Sequence, residues 1–451
     1  MRLRGRRLRP NLNLAAWLRP GIGIKRWLLI VFVGELGLAL ALALALRQVY
    51  RDVEVDGPLQ AVLYLVTLQF LPYVARGTIL AAAGAALFLV GSVRVVRVLM
   101  GPFRPSGAAT PLVEVIYQKR FLARGPRVVA IGGGTGLSTL LRGLKEHTSN
   151  LTAVVTVADD GGSSGKLREQ LGVPAVGDIR NCIVALADAE PLMGRLLQYR
   201  FPDDAVPDSL GGHAIGNLLI AAMTAVEGGD FEEGVRQVNR VLAVRGQVVP
   251  VSPTPITLHA RLRDGAEVQG QSLIARTSGI ERVWITPTAV RPSEDAVRAI
   301  AEADLIVLGP GSLYTSILPS LLVPEIREAV VASAALRVYV CNVATQQGET
   351  SGYDLADHVE ALIGHTSPAL VDLVLANSRL LDLAPDTWSG TPVQLRWPPA
   401  SGAAPRLVLD QVVDPGNPHH HDPARLAAAL LRLAERERGA RRRTTVGVRT
   451  A

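Results

Sequence analysis

The sequence predicts an α/β protein with a Rossmann-like, doubly wound, mainly parallel sheet and a small β-hairpin insertion, preceded by an N-terminal transmembrane hairpin of two helices. Three observations predict this architecture. Apolar stretches long enough to span a membrane occur in the first hundred residues. A strand, a glycine-rich turn and a helix follow one another over residues 127–146. Further buried strands that end in polar loops follow downstream, with helical stretches between them.

Two predicted membrane spans lie at about 27–46 and 78–99. The first contains one charged residue, Glu35, which we interpret as a tolerated polar residue that faces the second helix. The intervening residues 59–75 are apolar but contain two glutamines and a proline. That composition favours an interfacial or re-entrant segment over a third span.

The charges that flank the two spans predict the topology. Residues 1–26 contain seven Arg and one Lys without any Asp or Glu, and more Arg and Lys follow the second span. By the positive-inside rule both ends of the hairpin lie in the cytoplasm. We therefore expect the protein at the cytoplasmic membrane with its main domain in the cytoplasm. A cleaved signal peptide is disfavoured by the second span and the Arg-rich leader.

The net charge of +7 does not indicate a nucleic-acid-binding protein. Residues 1–26 carry +8, so the remaining 425 residues sum to −1. The basic cluster near the C-terminus is not interleaved with the aromatic side chains on which single-stranded nucleic acids stack. Cys182 and Cys341 are the two cysteines, and their separation fits neither a disulfide framework nor a zinc site. We predict no nucleic-acid partner.

Composition also predicts the domain boundaries. Residues 1–100 form the membrane anchor, and the Gly- and Pro-rich residues 101–114 form a linker. The α/β domain extends over residues 115–433, and a basic polar tail follows over residues 434–451.

Polar loops follow four predicted strands, at residues 127–131, 151–157, 304–309 and 336–342. Parallel sheets bind ligands beyond the carboxyl ends of their strands, so we expect these loops to form one shared pocket. The candidate ligand-binding residues in them are Gly132, Gly133, Gly134, Thr135, Gly136, Asp159, Asp160, Gly161, Gly162, Ser163, Ser164, Gly309, Gly311, Ser312, Thr315, Asn342, Thr345 and Gln346.

The first of these loops has the composition of a phosphate-binding turn. Its glycines let the backbone approach a phosphate at the N-terminus of a helix. Leu137 stands where the dinucleotide-binding fingerprint has its third glycine, so a tight structural turn is the alternative.

Asp159 and Asp160 precede a second glycine- and serine-rich loop. A carboxylate beside a phosphate is repulsive unless it accepts hydrogen bonds from hydroxyl groups or binds a cation. We expect one of the pair to bind ribose or sugar hydroxyls. The other is a candidate Mg²⁺ ligand or a cap for the turn at Ser163–Gly165. A purely structural Asp-Gly turn is the remaining alternative.

Residues 172–217 add five polar candidates at the mouths of apolar helices: Asp178, Arg180, Asn181, His213 and Asn217. Helix caps and a satisfied buried histidine are the alternatives, and for Asn217 the cap is as good an interpretation as ligand contact.

Two further segments have no predicted role in chemistry. Residues 256–271 alternate around an Asp-Gly pair and predict the β-hairpin insertion. The histidines at 419–421 precede Asp422 and Pro423, a typical helix start, and we expect them to be solvent-exposed neighbours of that cap rather than metal ligands.

Six motifs in order resemble the gluconeogenesis factor (YvcK) family, which is related to 2-phospho-L-lactate transferase (CofD). They are AIGGGTGLSTLLRGLK, TVADDGGSSGKLRE, GDIRNC, GGHAIGNLL, GPGSLYTSILPSLLVPEI and CNVATQQGETSGYDLADHVEAL, and the match covers roughly residues 115–433. The N-terminal hairpin departs from the fully soluble members of the family. It does not affect the six motifs.

The resemblance implies binding of a UDP-sugar such as UDP-N-acetylglucosamine. It also implies a regulatory role in cell shape and envelope synthesis under gluconeogenic growth, with protein partners in that synthesis. The alternative is a Mg²⁺-dependent transfer resembling that of the phospholactyl transferase, although that branch lacks the DDGGSSG and GPGSLYTS forms. A dehydrogenase is disfavoured because the glycine fingerprint and an acid/base pair are absent. Ligand turnover and assembly into a homo-oligomer stay open.

Overall fold

The computed structural model describes residues 121–187, 191–203, 210–379, 390–399 and 404–448, together with isolated positions before residue 121. The chain divides into two compact units, residues 1–121 and 122–451. The predicted spans at 27–46 and 78–99 lie for the most part outside the described residues. Among the described residues, no helix combines the length and the apolar character that a membrane crossing requires.

The second unit contains the predicted parallel sheet. In chain order the strands of the protein are β1 (Val128–Gly132), β2 (Leu151–Val155), β3 (Gln247–Pro250), β4 (Thr257–Leu262), β5 (Glu267–Gln269), β6 (Ile280–Thr286), β7 (Leu305–Leu308), β8 (Leu336–Val340), β9 (Leu373–Asn377), β10 (Arg406–Asp410), β11 (Val413–Asp414) and β12 (Asn417–His421). Seven of them pair in the order β10-β9-β8-β7-β1-β2-β3, and every neighbouring pair is parallel.

Helices flank this sheet, because its central strands are apolar on both faces. Every residue of β1, β2 and β7 is buried, as expected for a sheet covered on both sides. The helices are α1 (Gly134–Leu144), α2 (Gly162–Leu171), α3 (Gly177–Leu186), α4 (Pro191–Gln198), α5 (Ile215–Val226), α6 (Phe231–Val241), α7 (Gln271–Ile274), α8 (Glu294–Glu302), α9 (Leu318–Leu321), α10 (Pro324–Ala332), α11 (Leu355–His365) and α12 (Pro423–Val448), with a π-helical turn at Leu313–Ile317 and a 3₁₀ turn at Pro368–Leu370.

The predicted hairpin insertion is confirmed. Strands β4 and β5 pair antiparallel around a turn in which Ala266 N–H donates to Asp264 Oδ1 at 3.0 Å and Gly265 has a positive φ of 87°. The sequence did not predict β6, which pairs with the other edge of β4 and completes a three-stranded sheet.

The C-terminal helix begins where the sequence predicts. Asp422 Oδ1 accepts the N–H of Arg425 at 2.9 Å, and Pro423 is the first helical residue. The helix continues to Val448, so most of the predicted tail is helical. The expectation that His421 is solvent-exposed was wrong. His421 is buried because β12 pairs with β11 and packs on α1, and burial lowers its pKa to about 4.

Candidate functional site

The carboxyl ends of β8, β7, β1 and β2 lie side by side, so the four polar loops meet at one edge of the sheet. The loops after β1 and β7 are in direct contact. A Cβ added to Gly136 would lie 2.6 Å from the carbonyl oxygen of Pro310, and one added to Gly311 would lie 3.2 Å from that of Gly133. Gly136 is therefore explained by the packing of the two loops.

The other glycines of the first loop are explained by different features of the structure. A Cβ on Gly133 would collide with the carboxylate of Asp178, so that position is closed by the protein itself. Gly134 has a φ of 67°, in the left-handed region, and the nearest atom to an added Cβ is Ser316 Oγ at 3.8 Å. Thr135, the next residue, is exposed. A ligand has room to approach the backbone at the start of α1.

A pocket of about 240 Å³, here called the β2 pocket, lies beyond the carboxyl end of β2. The N-termini of α2 and α3 border it, and each helix has ten residues. Neither N-cap residue makes a side-chain hydrogen bond, but Ser164 Oγ accepts the N–H of Gly177 at 3.0 Å at the start of α3. The positive ends of the two helices give this side of the pocket positive character. All of the lining residues except Gly177 and Arg200 were predicted site residues. The lining is Asp159, Gly161, Gly162, Ser163, Ser164, Gly177, Asp178, Arg180, Asn181, Arg200 and Asn217.

The two adjacent carboxylates point to different places. Asp159 lines the β2 pocket, and its Oδ1 accepts the N–H of Gly161 at 3.0 Å in an Asx turn. Asp160 is not among the lining residues; its Oδ1 accepts the N–H of Ser272 at 2.8 Å, at the start of α7. Asp160 therefore ties the three-stranded insertion to this loop.

Asp178 and Arg180 place a carboxyl group and a guanidinium in the β2 pocket. Asp178 accepts the N–H of Gly134, and burial, together with the charge of Asp159, raises its pKa to about 7. Arg180 Nη2 donates to Asn181 Oδ1 at 3.0 Å, whereas its Nε is buried with no hydrogen-bond partner among the described residues. The pocket thus holds two carboxylates beside a guanidinium with an unused donor.

Ser163 is held by a buried polar network. Its Oγ lies 3.1 Å from His213 Nδ1 and accepts a hydrogen bond from Asn217 Nδ2 at 3.0 Å. Asn217 Oδ1 is buried without a partner in the described chain. Burial, then the charges of Lys166 and Arg200, lower the pKa of His213, which favours its neutral ring. His213 is buried and does not line the pocket, so its contact with the pocket is through Ser163.

The predicted residues after β7 and β8 bind one another. These segments, residues 309–315 and 342–349, are here called the β7–β8 loops. Asn342 Nδ2 donates to the carbonyl oxygen of Gly311 at 2.9 Å and Asn342 Oδ1 accepts its N–H at 3.2 Å. Gln346 Nε2 donates to Ser312 Oγ at 2.8 Å. Gly309 has a φ of 77°, which allows the sharp turn before these contacts.

Glu349 anchors the β7–β8 loops and was not predicted. It is 3% exposed, and its Oε1 accepts the N–H groups of Tyr314 at 2.6 Å and Thr315 at 2.8 Å. Burial raises the pKa of Glu349 to about 7, although these hydrogen bonds oppose the shift. The sequence feature that could have identified Glu349 is a lone carboxylate in a Gly- and Thr-containing loop that follows a buried strand. Thr345 also binds the surrounding chain, since its Oγ1 accepts the N–H of Thr391 at 3.0 Å.

The donor chemistry of the β2 pocket fits Mg²⁺. Asp159 and Asp178 supply hard oxygen donors, and their mutual repulsion is the kind that a cation between them relieves. Within the described residues, no group of three or more His, Cys, Asp or Glu side chains is arranged to hold a metal. The protein would therefore supply one or two carboxylates, the number that Mg²⁺ commonly takes beside substrate phosphates.

Comparison with known proteins identifies relatives over most of the chain. The family of 2-phospho-L-lactate transferase CofD matches residues 128–385. A putative gluconeogenesis factor from Nostoc sp. is 44% identical over 431 residues, which are 92% of this chain and 91% of that protein. The gluconeogenesis factor of Bacillus subtilis is 44% identical over 69% of this chain and 99% of its own. A crystal structure of a Bacillus halodurans protein, 43% identical, covers 68% of this chain and 100% of that one with a TM-score of 0.64.

Proposed function

This chain belongs to the gluconeogenesis factor family, whose core domain is that of 2-phospho-L-lactate transferase, and on that premise we propose that it binds a UDP-sugar of the UDP-N-acetylglucosamine type as a regulatory ligand. The β2 pocket carries the proposal, because it combines the two kinds of group that such a ligand needs. Arg180 and Arg200 are donors for a diphosphate, and Asp159 is an acceptor for sugar or ribose hydroxyls.

The neighbouring loop after β1 supports the same assignment. The N–H of Gly134 is bound by Asp178, but the open space beside Gly134 leaves the phosphates of the ligand a route to the N–H groups that follow it in α1. The β7–β8 loops then act as a support for the Gly311 side of the cleft, since Asn342 and Gln346 Nε2 are already bound to Gly311 and Ser312.

Calorimetry with UDP-N-acetylglucosamine tests the proposal. Replacing Arg180 with Gln removes the guanidinium with the unused donor, and we expect affinity to fall about tenfold or more. Arg240→Gln, an exposed arginine on α6 outside the β2 pocket, is the matched control. If the native protein does not bind the nucleotide, or if the two variants bind equally well, the proposal fails.

We further propose that the protein acts in cell shape and envelope synthesis from the cytoplasmic membrane, through protein partners in that synthesis. The predicted hairpin of 27–46 and 78–99 would hold residues 122–451 in the cytoplasm. Protease added to intact cells should leave the second unit uncut. Digestion of that unit from outside would contradict the topology.

A Mg²⁺-dependent transferase is the second candidate function. The match to the transferase family and the Asp159–Asp178 pair favour it. When bound, Mg²⁺ would neutralise phosphate charge, while Asp159 and Asp178 would hold it and Arg180 would orient the anion. Incubation with the nucleotide sugar and Mg²⁺, followed by mass spectrometry, distinguishes the two functions. A regulator returns the ligand intact, whereas a transferase or hydrolase splits the nucleotide sugar and passes the released group to water or to an alcohol added as acceptor.

A further inference from the structure

A second cleft lies away from the β2 pocket, between the three-stranded sheet and α11. Its volume is about 770 Å³, within the range of sites for small metabolites. We call it the arginine cleft after the three guanidinium side chains of its β wall. These are Arg261, Arg263 and Arg282.

The β wall places like charges together. Arg261 and Arg282 are direct cross-strand partners in β4 and β6, an arrangement that destabilises a sheet. The charge of Arg261 is partly compensated by Glu267, whose Oε1 lies 3.1 Å from Arg261 Nη2. The guanidinium carbon of Arg261 also lies 5.9 Å from the centre of the Trp284 ring. In the part of the chain that the structure describes, neither Arg263 nor Arg282 forms an ion pair. A bound anion would relieve this repulsion.

The opposite wall does not supply the neutralising charge. Asp357 on α11 binds Arg396 at 2.9 Å and also accepts the N–H of Asp354 at 3.0 Å. Glu360 on the same helix is also engaged in an interaction. The exposed Glu281 on β6 is a further acidic lining residue.

The cleft also has a polar floor. The hydroxyl groups of Tyr314 and Tyr353 are 2.8 Å apart, and Tyr314 is 2% exposed. His365 joins the two walls, since its Nδ1 donates to Ala361 on α11 at 2.7 Å and its Nε2 accepts the N–H of Val283 on β6 at 3.0 Å. Burial lowers the pKa of His365, so the bridge uses the neutral ring.

We propose that the arginine cleft is a second ligand site, for a small molecule that carries a phosphate group. Arg263 and Arg282 bind the phosphate, because a guanidinium matches phosphate geometry with paired N–H donors. The tyrosine hydroxyls bind hydroxyl groups of the same molecule. The recessed floor favours a small molecule over a flat bilayer surface. This site does not depend on the proposed UDP-sugar function, since no residue of the cleft lines the β2 pocket.

Equilibrium dialysis of the full chain with labelled inorganic pyrophosphate, at about 0.15 M salt, tests the proposal. The test variant is Arg263→Gln combined with Arg282→Gln. The control is Arg240→Gln combined with Arg291→Gln, which removes the same charge from exposed positions outside the cleft. Arg180→Gln identifies the share of binding that belongs to the β2 pocket.

We expect the test variant to lose one class of pyrophosphate site, with affinity reduced about tenfold or more, in the Arg180→Gln background as well as in the native chain. The control pair should bind as the native chain does. Equal binding by test and control variants, or equal losses in both, would overturn the proposal. So would binding to phosphatidylglycerol vesicles, lost in the test variant, without any pyrophosphate binding.

Discussion

The β2 pocket and the β7–β8 loops carry similar residues at neighbouring strand ends, yet their polar groups are used differently. In the β2 pocket, Arg180 Nε and Asn217 Oδ1 are buried without a partner among the described residues. In the β7–β8 loops, Asn342 binds Gly311 and Gln346 Nε2 donates to Ser312, although Gln346 Oε1 is buried without a partner among the described residues. An unpaired buried polar group costs free energy, and in the β2 pocket a bound ligand would supply the missing partner. The β2 pocket has an open volume of about 240 Å³ beside its unpaired atoms, whereas hydrogen bonds join the β7–β8 loops to each other.

The largest expected effect is at Glu349. Replacing Glu349 with Ala leaves the buried N–H groups of Tyr314 and Thr315 without their acceptor, which should lower stability at pH 6 by about 3 kcal/mol. Thermal unfolding of the full chain measures it. Glu349→Gln keeps an acceptor oxygen and is the control. Equal loss in both variants would mean that the carboxylate does not anchor the loops.

The pH dependence of the stability of Glu349→Gln is a second test of the role of Glu349 in the β7–β8 loops. The pKa of Glu349 is raised to about 7, so between its ordinary value and pH 7 the folded protein binds a proton that the unfolded chain releases. The free energy of unfolding of the native protein therefore falls as pH rises through this window, by about 1.4 kcal/mol for each pH unit. The Gln variant lacks this loss and should gain stability relative to the native protein as pH rises from about 5 to 7. Parallel stability curves would contradict the prediction.

Variants of Asp159 and Asp160 test whether a residue that lines the β2 pocket affects ligand affinity more than a residue that binds a neighbouring segment. Asp159→Asn should weaken UDP-N-acetylglucosamine binding about tenfold, because it weakens an acceptor in the β2 pocket. Asp160→Asn should leave affinity within about threefold, since Asp160 is bound to Ser272 outside the pocket. Calorimetry with and without Mg²⁺ measures both. A larger loss in Asp160→Asn would reverse the assignment, and loss of a Mg²⁺ effect in Asp159→Asn would mark a metal ligand.

The smallest effect is expected at Thr345. Thr345→Val removes the acceptor for Thr391 N–H, which should cost about 1 kcal/mol of stability and leave ligand affinity unchanged. Thermal unfolding and calorimetry on the same preparation measure the two quantities. Weaker ligand binding at unchanged stability would place Thr345 in the site after all.

The sequence by itself determined the layers of the domain and the edge at which its polar loops meet. Buried apolar strands alternating with helices leave few arrangements, and a parallel sheet brings all carboxyl ends to one side. The start of α12 at Asp422 and the turn at Asp264–Gly265 could also be predicted from the sequence, because helix caps and tight turns depend on residues that are close together in the chain.

Tertiary structure alone decided which of those polar residues line the β2 pocket. Asp159 and Asp160 are adjacent and chemically identical, yet one lines the pocket and the other binds α7, a segment more than a hundred residues away. Arg200 and Glu349 belong to no predicted set because their roles depend on partners distant in the chain. Periodicity reports which face of an element is buried. Periodicity does not predict which distant residue forms a hydrogen bond with a given polar group. Those long-range hydrogen bonds decide which polar residues line the β2 pocket and which hold the surrounding loops together.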